Sequence, residues 1–368
     1  MVDALKKLDK KFLIIAGCIL FLPIIFIIFL VLIQSCSGGK MSYQSYEKKM
    51  ISAAEKYFKG KLPTEEGEES IVTLDKLVED GYIKSPKKAV KDSCTGQVSV
   101  RRNGASIDTN SGGFLNYIVS LDCDNYNTIT FNDKILTNLV EEGSGLYKVD
   151  DYYVFKGNKV KNYVNFYGHT YRIMSIDKEG IIKLVNNEVE LASRSWDNKF
   201  NVESNSSTGK TIYKDSTILS YLIADYQNPK KIRKAAKSHI VAYDSCIGKR
   251  ASDDYSISKE IDCSEILENQ VISLMNVSDF AMASADPDCH TTRDRSCNNY
   301  NYLSNVAPST WTMNSINDNS YEALFISGGL QGHQNANLYN EYSIVIYIDG
   351  NEPYTSGDGS SNNPYSIE

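Results

Sequence analysis

Between Asp286 and Leu303 the chain reads DPDCHTTRDRSCNNYNYL, a gathering of thiols, an imidazole and carboxylates. Cys289, His290 and Cys297 could bind a soft metal, and Asp286, Asp288 and Asp294 a hard one. Zinc sites need cysteine or histidine pairs at short intervals, and a Cys-His adjacency with no second cysteine pair lacks that spacing. A calcium loop needs regularly alternating oxygen ligands ending in glutamate, which this stretch also lacks. The remaining chemistry is oxidation, with Cys289 and Cys297 closing a surface loop, a weak calcium site being the variant of that reading. Which chemistry holds depends on the side of a membrane the stretch occupies.

The N-terminus bears on that. Phe12–Ile33 is a run of 22 residues without a charge. At about 1.5 Å per residue it reaches roughly 33 Å, enough to cross a hydrocarbon core of about 30 Å. Lys6, Lys7, Lys10 and Lys11 precede it and Lys40 follows. This bias keeps residues 1–11 in the cytoplasm and sends everything after Gln34 outside. The expected topology is a single-pass anchor in the cell membrane through residues 12–33, with the bulk extracellular. A cleaved signal peptide would carry a shorter apolar region. A lipidated Cys36 is a second alternative, and both leave the bulk outside.

Cys18 lies in the apolar run and Cys36 at its edge; Cys94, Cys123, Cys246, Cys263, Cys289 and Cys297 lie beyond it. An even set in an oxidising compartment reads as a disulfide framework, and six cysteines allow 15 pairings. The nearest-neighbour set is expected: Cys94–Cys123, Cys246–Cys263 and Cys289–Cys297, each bracketing a polar segment.

The net charge of −7 gives no basic footprint for nucleic acid. Histidine occurs only at His169, His239, His290 and His333, and no G-x-S-x-G, H-E-x-x-H or phosphate-loop motif is present. No catalytic residue, cofactor or metal is assigned, although a spatially assembled carboxylate pair is compatible with the composition. The 25 tyrosines fit either strands or contact surfaces. The segment Trp311–Tyr342 concentrates amides and phenols on expected loops: Asn314, Asn317, Asn319, Tyr321, His333, Asn335, Asn337 and Tyr339. Such groups suit adaptable hydrogen bonding to a glycan or a protein, and they also favour plain turns. Trp311 is expected in the core.

The elements that position these residues are legible in outline. Tyr43, Tyr46, Met50, Ala53 and Tyr57 recur at helical spacing, and Gly60 ends the helix. Thr73 caps a short second helix through Leu74, Leu77 and Val78, stopped by Gly81. QVSVRR and FLNYIVSLDC follow as strands, with Leu115, Tyr117, Val119 and Leu121 facing one side. Residues 132–151, polar and containing Gly-Ser-Gly, read as a linker. Beyond it, NFYGHTYRIMSIDKEGIIKLV makes two strands around Asp177–Gly180, and KDSTILSYLIADYQ a helix with Ile218, Leu219, Leu222, Ile223 and Tyr226 on one side. Asn228 and Pro229 read as the start of another helix. NQVISLMNV, STWTMNS, EALFISGG and YSIVIYI are strands.

A membrane helix continued by AAEKYF, then VTLDKLVEDGYI and a small antiparallel sheet, resembles pilin and pseudopilin-like ectodomains over residues 12–130. The processing glycine and following glutamate of that family are absent, so the likeness implies a fixed stalk at 40–131. GHTYRIMSI, VISLMNVSDFAMAS, CNNYNYL, STWTMNS and the terminal GDG…NPY ending resemble, over residues 152–368, a bacterial surface domain of the C-type-lectin-like fold shared with formylglycine-generating enzymes. The likeness implies an α+β domain in which Tyr171–Ile176 lies beside Ile344–Ile348, with the late segment as the ligand face. The thiol chemistry of those enzymes needs free cysteines, and these are expected to be paired. The expectation is therefore an α+β, membrane-tethered surface protein that binds an extracellular glycan or protein, without catalysis. An exported enzyme, or a pseudopilin-like subunit of an envelope assembly, is the alternative.

Overall fold

The computed structural model describes residues 40–107, 112–188 and 190–367, the side chains of 190–192 apart. The tail at 1–11, the apolar run at 12–33, Cys18 and Cys36 lie outside the described residues. Among the described residues no helix is long and apolar enough to cross a membrane. The fold is α+β and dominated by antiparallel sheets, with two separate hydrophobic cores.

The first core belongs to residues 40–127. Helix α1 (Tyr43–Tyr57) starts at Ser42, whose hydroxyl accepts from the Ser45 amide at 3.2 Å. Its spacing buries Tyr46, Met50, Ala53 and Ala54 on one face. That face lies on a four-stranded sheet of β1 (Glu69–Thr73), β2 (Cys94–Asn103), β3 (Phe114–Cys123) and β4 (Tyr126–Asn127), in that order. The short helices α2 (Leu74–Glu79) and α3 (Pro86–Ala89) fill the β1–β2 connection. Thr73 caps α2 as expected, accepting from the Lys76 amide at 3.3 Å. Val98, Val100, Val119 and Leu121 meet Met50, Leu74 and Leu77 with at most 2% exposure. Each such side chain contributes about 1.5–3 kcal/mol through burial. Gly96 is required on β2, because a Cβ there would stand 2.5 Å from the Ser120 carbonyl oxygen and 3.3 Å from Met50. Cys94 and Cys123 are direct cross-strand partners at the sheet's end.

The expected linker at 132–151 is corrected. It carries α4 (Phe131–Leu136), with a Thr130–Asp133 capping box, and β5 (Gly145–Val149). Phe131, Ile135 and Leu146 enter the second core. Its polar average conceals Ile135 and Leu146, placed where each element touches that core, with Phe131 joining them from just before the segment.

The chain continues through β6 (Tyr152–Lys156), β7 (Tyr163–Phe166), β8 (His169–Ile176), β9 (Ile181–Asn186), β10 (Glu190–Ser195) and α5 (Thr217–Gln227). Then come β11 (Tyr243–Cys246), α6 (Lys259–Asp262), β12 (Ile266–Gln270), α7 (Val277–Met282) and α8 (Leu303–Val306). The last strands are β13 (Ser309–Ser315), β14 (Glu322–Ser327), β15 (Leu330–Asn335), β16 (Tyr339–Tyr342), β17 (Val345–Asp349) and β18 (Tyr365–Ile367). The main sheet has the order β17-β9-β8-β6-β5, with β7 also paired to β8 and β18 parallel to β7. The expected pairing of Tyr171–Ile176 with Ile344–Ile348 is thus displaced by one strand. The tight turn at Asp177–Gly180 folds β9 back onto β8, so β17 adds to β9 instead. β13, β14 and β15 form a second antiparallel sheet. Trp311 is fully buried, as expected, and its indole donates to the Arg194 carbonyl at 2.8 Å.

Two further expectations shift. Asn228 ends α5 rather than starting a helix, and only a 3-10 turn, Ala235–Ser238, follows. Burial of Ile232, Ala236 and Ile240 outweighs the start signal there. In NQVISLMNV the strand ladder ends at Gln270, and Val271–Met275 run on buried with one bridge from Ser273 to Val345.

The modules meet through polar side chains and through Ile107, which packs against the second core. Arg101 on β2 pairs with Asp349 at 2.8 Å, and the Asn103 amide donates to the Ser238 carbonyl at 2.5 Å. The Asn116 amide donates to Glu352 at 2.8 Å, and both Glu352 carboxylate oxygens lie 2.7 Å from His239 Nδ1.

Candidate functional site

In the opening stretch Cys289 and Cys297 are disulfide-bonded, and Cys94–Cys123 and Cys246–Cys263 complete the nearest-neighbour set. Two of the loop's acids, Asp286 and Asp294, are bonded within the loop itself. Asp294 accepts from the amides of His290 and Thr291 at 2.9 and 2.7 Å. Asp286 accepts from the Asp288 amide and from the Asn299 side chain, both at 2.9 Å. The Asp294 carboxyl is held below its usual range by those amide bonds. Among the described residues no group of three or more His, Cys, Asp or Glu side chains is placed to hold a metal.

The amide and phenol residues of 311–342 divide into three sets. Asn314 is fully buried: its carbonyl oxygen accepts from the Val277 amide at 2.9 Å, and its NH2 donates to the Gly248 carbonyl at 2.8 Å. It pins β13 to α7 and is corrected from the ligand face, because β13 runs through the core rather than ending in a loop at this position. Asn317 and Asn319 line an open cleft of about 510 Å³ with Val202, Glu203, Lys210, Ile212, Lys249 and Asp318. Asn319 donates to Glu322 at 2.8 Å, and Glu322 is also bonded to His333 Nδ1 at 2.9 Å, so this trio braces one wall. Asn337 braces the facing loop by donating to the Ser207 carbonyl at 2.7 Å. Tyr321 directs its amide to Asn319, while Asn335 closes the β14–β15 ladder opposite Glu322. Tyr339 is 71% exposed on β16 and does not line the cleft. Val202 and Ile212 leave large apolar surfaces open in the cleft's lining, at 70 and 41% exposure, and Phe200, 54% exposed, precedes Asn201 of that lining in the chain.

Sequence reasoning missed a second site. A pocket of about 230 Å³ opens between β9, β11, α6 and α7. Lys183 on β9 and Asp279 in the first turn of α7 form a buried ion pair of 2.5 Å. Burial opposes both charges, yet their attraction outweighs it. The Lys183 ammonium is pushed up to about 12, and the Asp279 carboxyl is held below its usual range. Asp279 also accepts from the Asn276 amide at 2.7 Å, which closes the helix cap. Asp262, at the end of α6, accepts from Arg250 Nε at 2.7 Å and from the Ser278 hydroxyl at 2.5 Å. The Cys246–Cys263 bond fixes α6 against β11 at this wall. Lys259 projects from α6 with its Nζ 3.9 Å from the ring centroid of Tyr152. Tyr243 and Tyr347 stack at 4.1 Å between centroids. Burial, with the nearby Asp177 charge, raises the Tyr243 phenol, and burial raises Asp177. A lysine inside the apolar run IIKLVN, and an Asn-x-x-Asp cap before FAM, are the sequence signals that mark this site.

No protein-family model, curated protein or solved structure matches the chain.

Proposed function

We propose that the chain is a membrane-anchored extracellular surface protein whose second module binds a glycan or protein partner at the cleft of Asn317 and Asn319. The first module serves as a fixed, pilin-like stalk, and the second is the lectin-like head. The observation that carries this reading is an amide-lined cleft whose own lining includes the exposed apolar side chains of Val202 and Ile212. Scattered apolar side chains are ordinary on a surface, but a group rimming a polar cleft fits a recognition patch. Three neighbour-paired disulfides fit an oxidising compartment.

The test is screening of the detergent-solubilised full chain on glycan and protein arrays. A specific partner is expected, with affinity falling at least about tenfold for Val202→Asp and for Asn317→Ala combined with Asn319→Ala. Loss of one desolvated contact of about 1.4 kcal/mol suffices for that factor. Variants that keep full affinity, while the wild type binds, would remove this cleft from the interface. Protease added to intact cells should digest the bulk of the chain; protection until lysis would reverse the topology.

A further inference from the structure

A second binding site follows from the charge arrangement of the Lys183–Asp279 pocket, independently of the Asn317 cleft. Its inner acids are already satisfied. Asp279 is paired with Lys183 and caps α7, and Asp262 is paired with Arg250 and Ser278. Among the described residues Lys259 has no carboxylate at ion-pair distance; its Nζ lies over the Tyr152 ring, with Asp279, Asp177 and Asp262 acting on it only through their charge. The outer lining carries the opposite sign through Asp151, Asp177 and Glu179; Asp177 accepts from the Ile181 amide at 2.7 Å and from the Tyr243 phenol, and Lys178 lies 3.5 Å from Glu179. The pocket is therefore dipolar, positive within and negative toward its mouth. Its volume of about 230 Å³ admits a small molecule and excludes a folded chain.

We propose that this pocket binds an amino-acid-sized zwitterion, with its carboxylate on Lys259 Nζ and its ammonium toward Asp177 and Glu179. The carboxylate gains a charge-assisted hydrogen bond in a site shielded by the tyrosine rings. The Tyr243–Tyr347 stack offers a flat apolar wall for the rest of the ligand. A titration signature comes with this geometry. Burial, together with the Lys183 ammonium, holds Lys259 below the usual lysine range, and the carboxylates of Asp279, Asp177 and Asp262 only partly offset this. A bound carboxylate stabilises the protonated amine, so binding on the alkaline side takes up a proton. Affinity is full below the Lys259 value of the empty pocket and declines as pH rises through it.

The experiment is calorimetric titration and thermal shift of the full chain in detergent. The probes are the common amino acids, their N-acetyl forms, which lack the ammonium, and their amides, which lack the carboxylate. At least one amino acid is expected to bind and raise the melting temperature. Its N-acetyl and amide forms should bind at least about tenfold more weakly. Lys259→Met should abolish binding while retaining the unliganded melting temperature and three disulfides, and Glu179→Gln should weaken it. Failure of every amino acid to bind the wild type, or wild-type affinity in Lys259→Met, would overturn the proposal. Equal binding of an N-acetyl form would overturn the ammonium contact, and equal binding of an amide the Lys259 contact. A partner on the arrays that is lost with Val202→Asp but kept with Lys259→Met belongs to the other cleft.

Discussion

Asp279→Ala is expected to lower the unfolding free energy by about 3–5 kcal/mol, because it leaves a buried lysine without its counter-charge. Lys183 and Asp279 are 9 and 8% exposed, so water does little to replace the lost partner. The same substitution removes the acceptor for the Asn276 amide and uncaps α7. The double variant Lys183→Met, Asp279→Leu should recover much of the loss, since an apolar pair of similar volume dispenses with the desolvation cost. Urea unfolding of the full chain in detergent checks both; a single variant as stable as the wild type would show the pair to be dispensable. The pH dependence has a defined sign on each side. The Asp279 value is depressed by folding, so its contribution is present above the ordinary carboxylate value of about 4 and is lost as pH falls. The Lys183 value is raised to about 12, so its contribution is present below the ordinary lysine value and is lost as pH rises through about 12.

Removing the Cys94–Cys123 bond by the double alanine substitution is expected to destabilise the first module by about 3–4 kcal/mol. The bond closes a loop of sequence separation 29, and the chain-entropy relation gives this magnitude. The effect should be confined to one of two transitions. Residues 40–127 have their own core around Met50, Leu77 and Val119, whereas the buried residues of the second core run from Phe131 onward, with Ile107 alone packed against it from the first module among the described residues. Calorimetry should show the lower module melting earlier while the upper transition moves little. A joint shift of both transitions would mean that the polar junction at Arg101–Asp349 and Asn116–Glu352 couples the modules into one unfolding unit.

The first module was readable because its signals are local and agree with one another. Ser42 and Thr73 cap their helices, Gly81 follows α2 in a left-handed conformation at φ +76°, and β3 presents Val119 and Leu121 to the core. The cysteine pairing was readable for the same reason: partners near in sequence lie across one hairpin or one short loop. The second module was less legible where contacts are distant. Asn228-Pro229 is a sound local start signal, yet tertiary burial of Ile232 and Ala236 decides that segment. The β17–β9 pairing joins strands about 160 residues apart in sequence, which no spacing rule specifies. Asn314 shares its residue type with Asn317 but not its environment, since three positions along the chain separate a core strand from a cleft wall. The Lys183 pocket is assembled from β9, α6 and α7, so its charges meet only in space.

On the proposed reading of a tethered binding protein, held at its base and at its partner, the Cys94–Cys123 bond carries a mechanical consequence. Tension between those two points passes across the sheet's end, and the covalent link there takes the load in place of the β2–β3 ladder. At about 3.3–3.6 Å per residue, the shielded loop of separation 29 withholds roughly 100 Å of slack that the chain would otherwise pay out under pull. On that reading the first module resists stretching while the bridge is oxidised, and yields that extra length under load only once it is reduced.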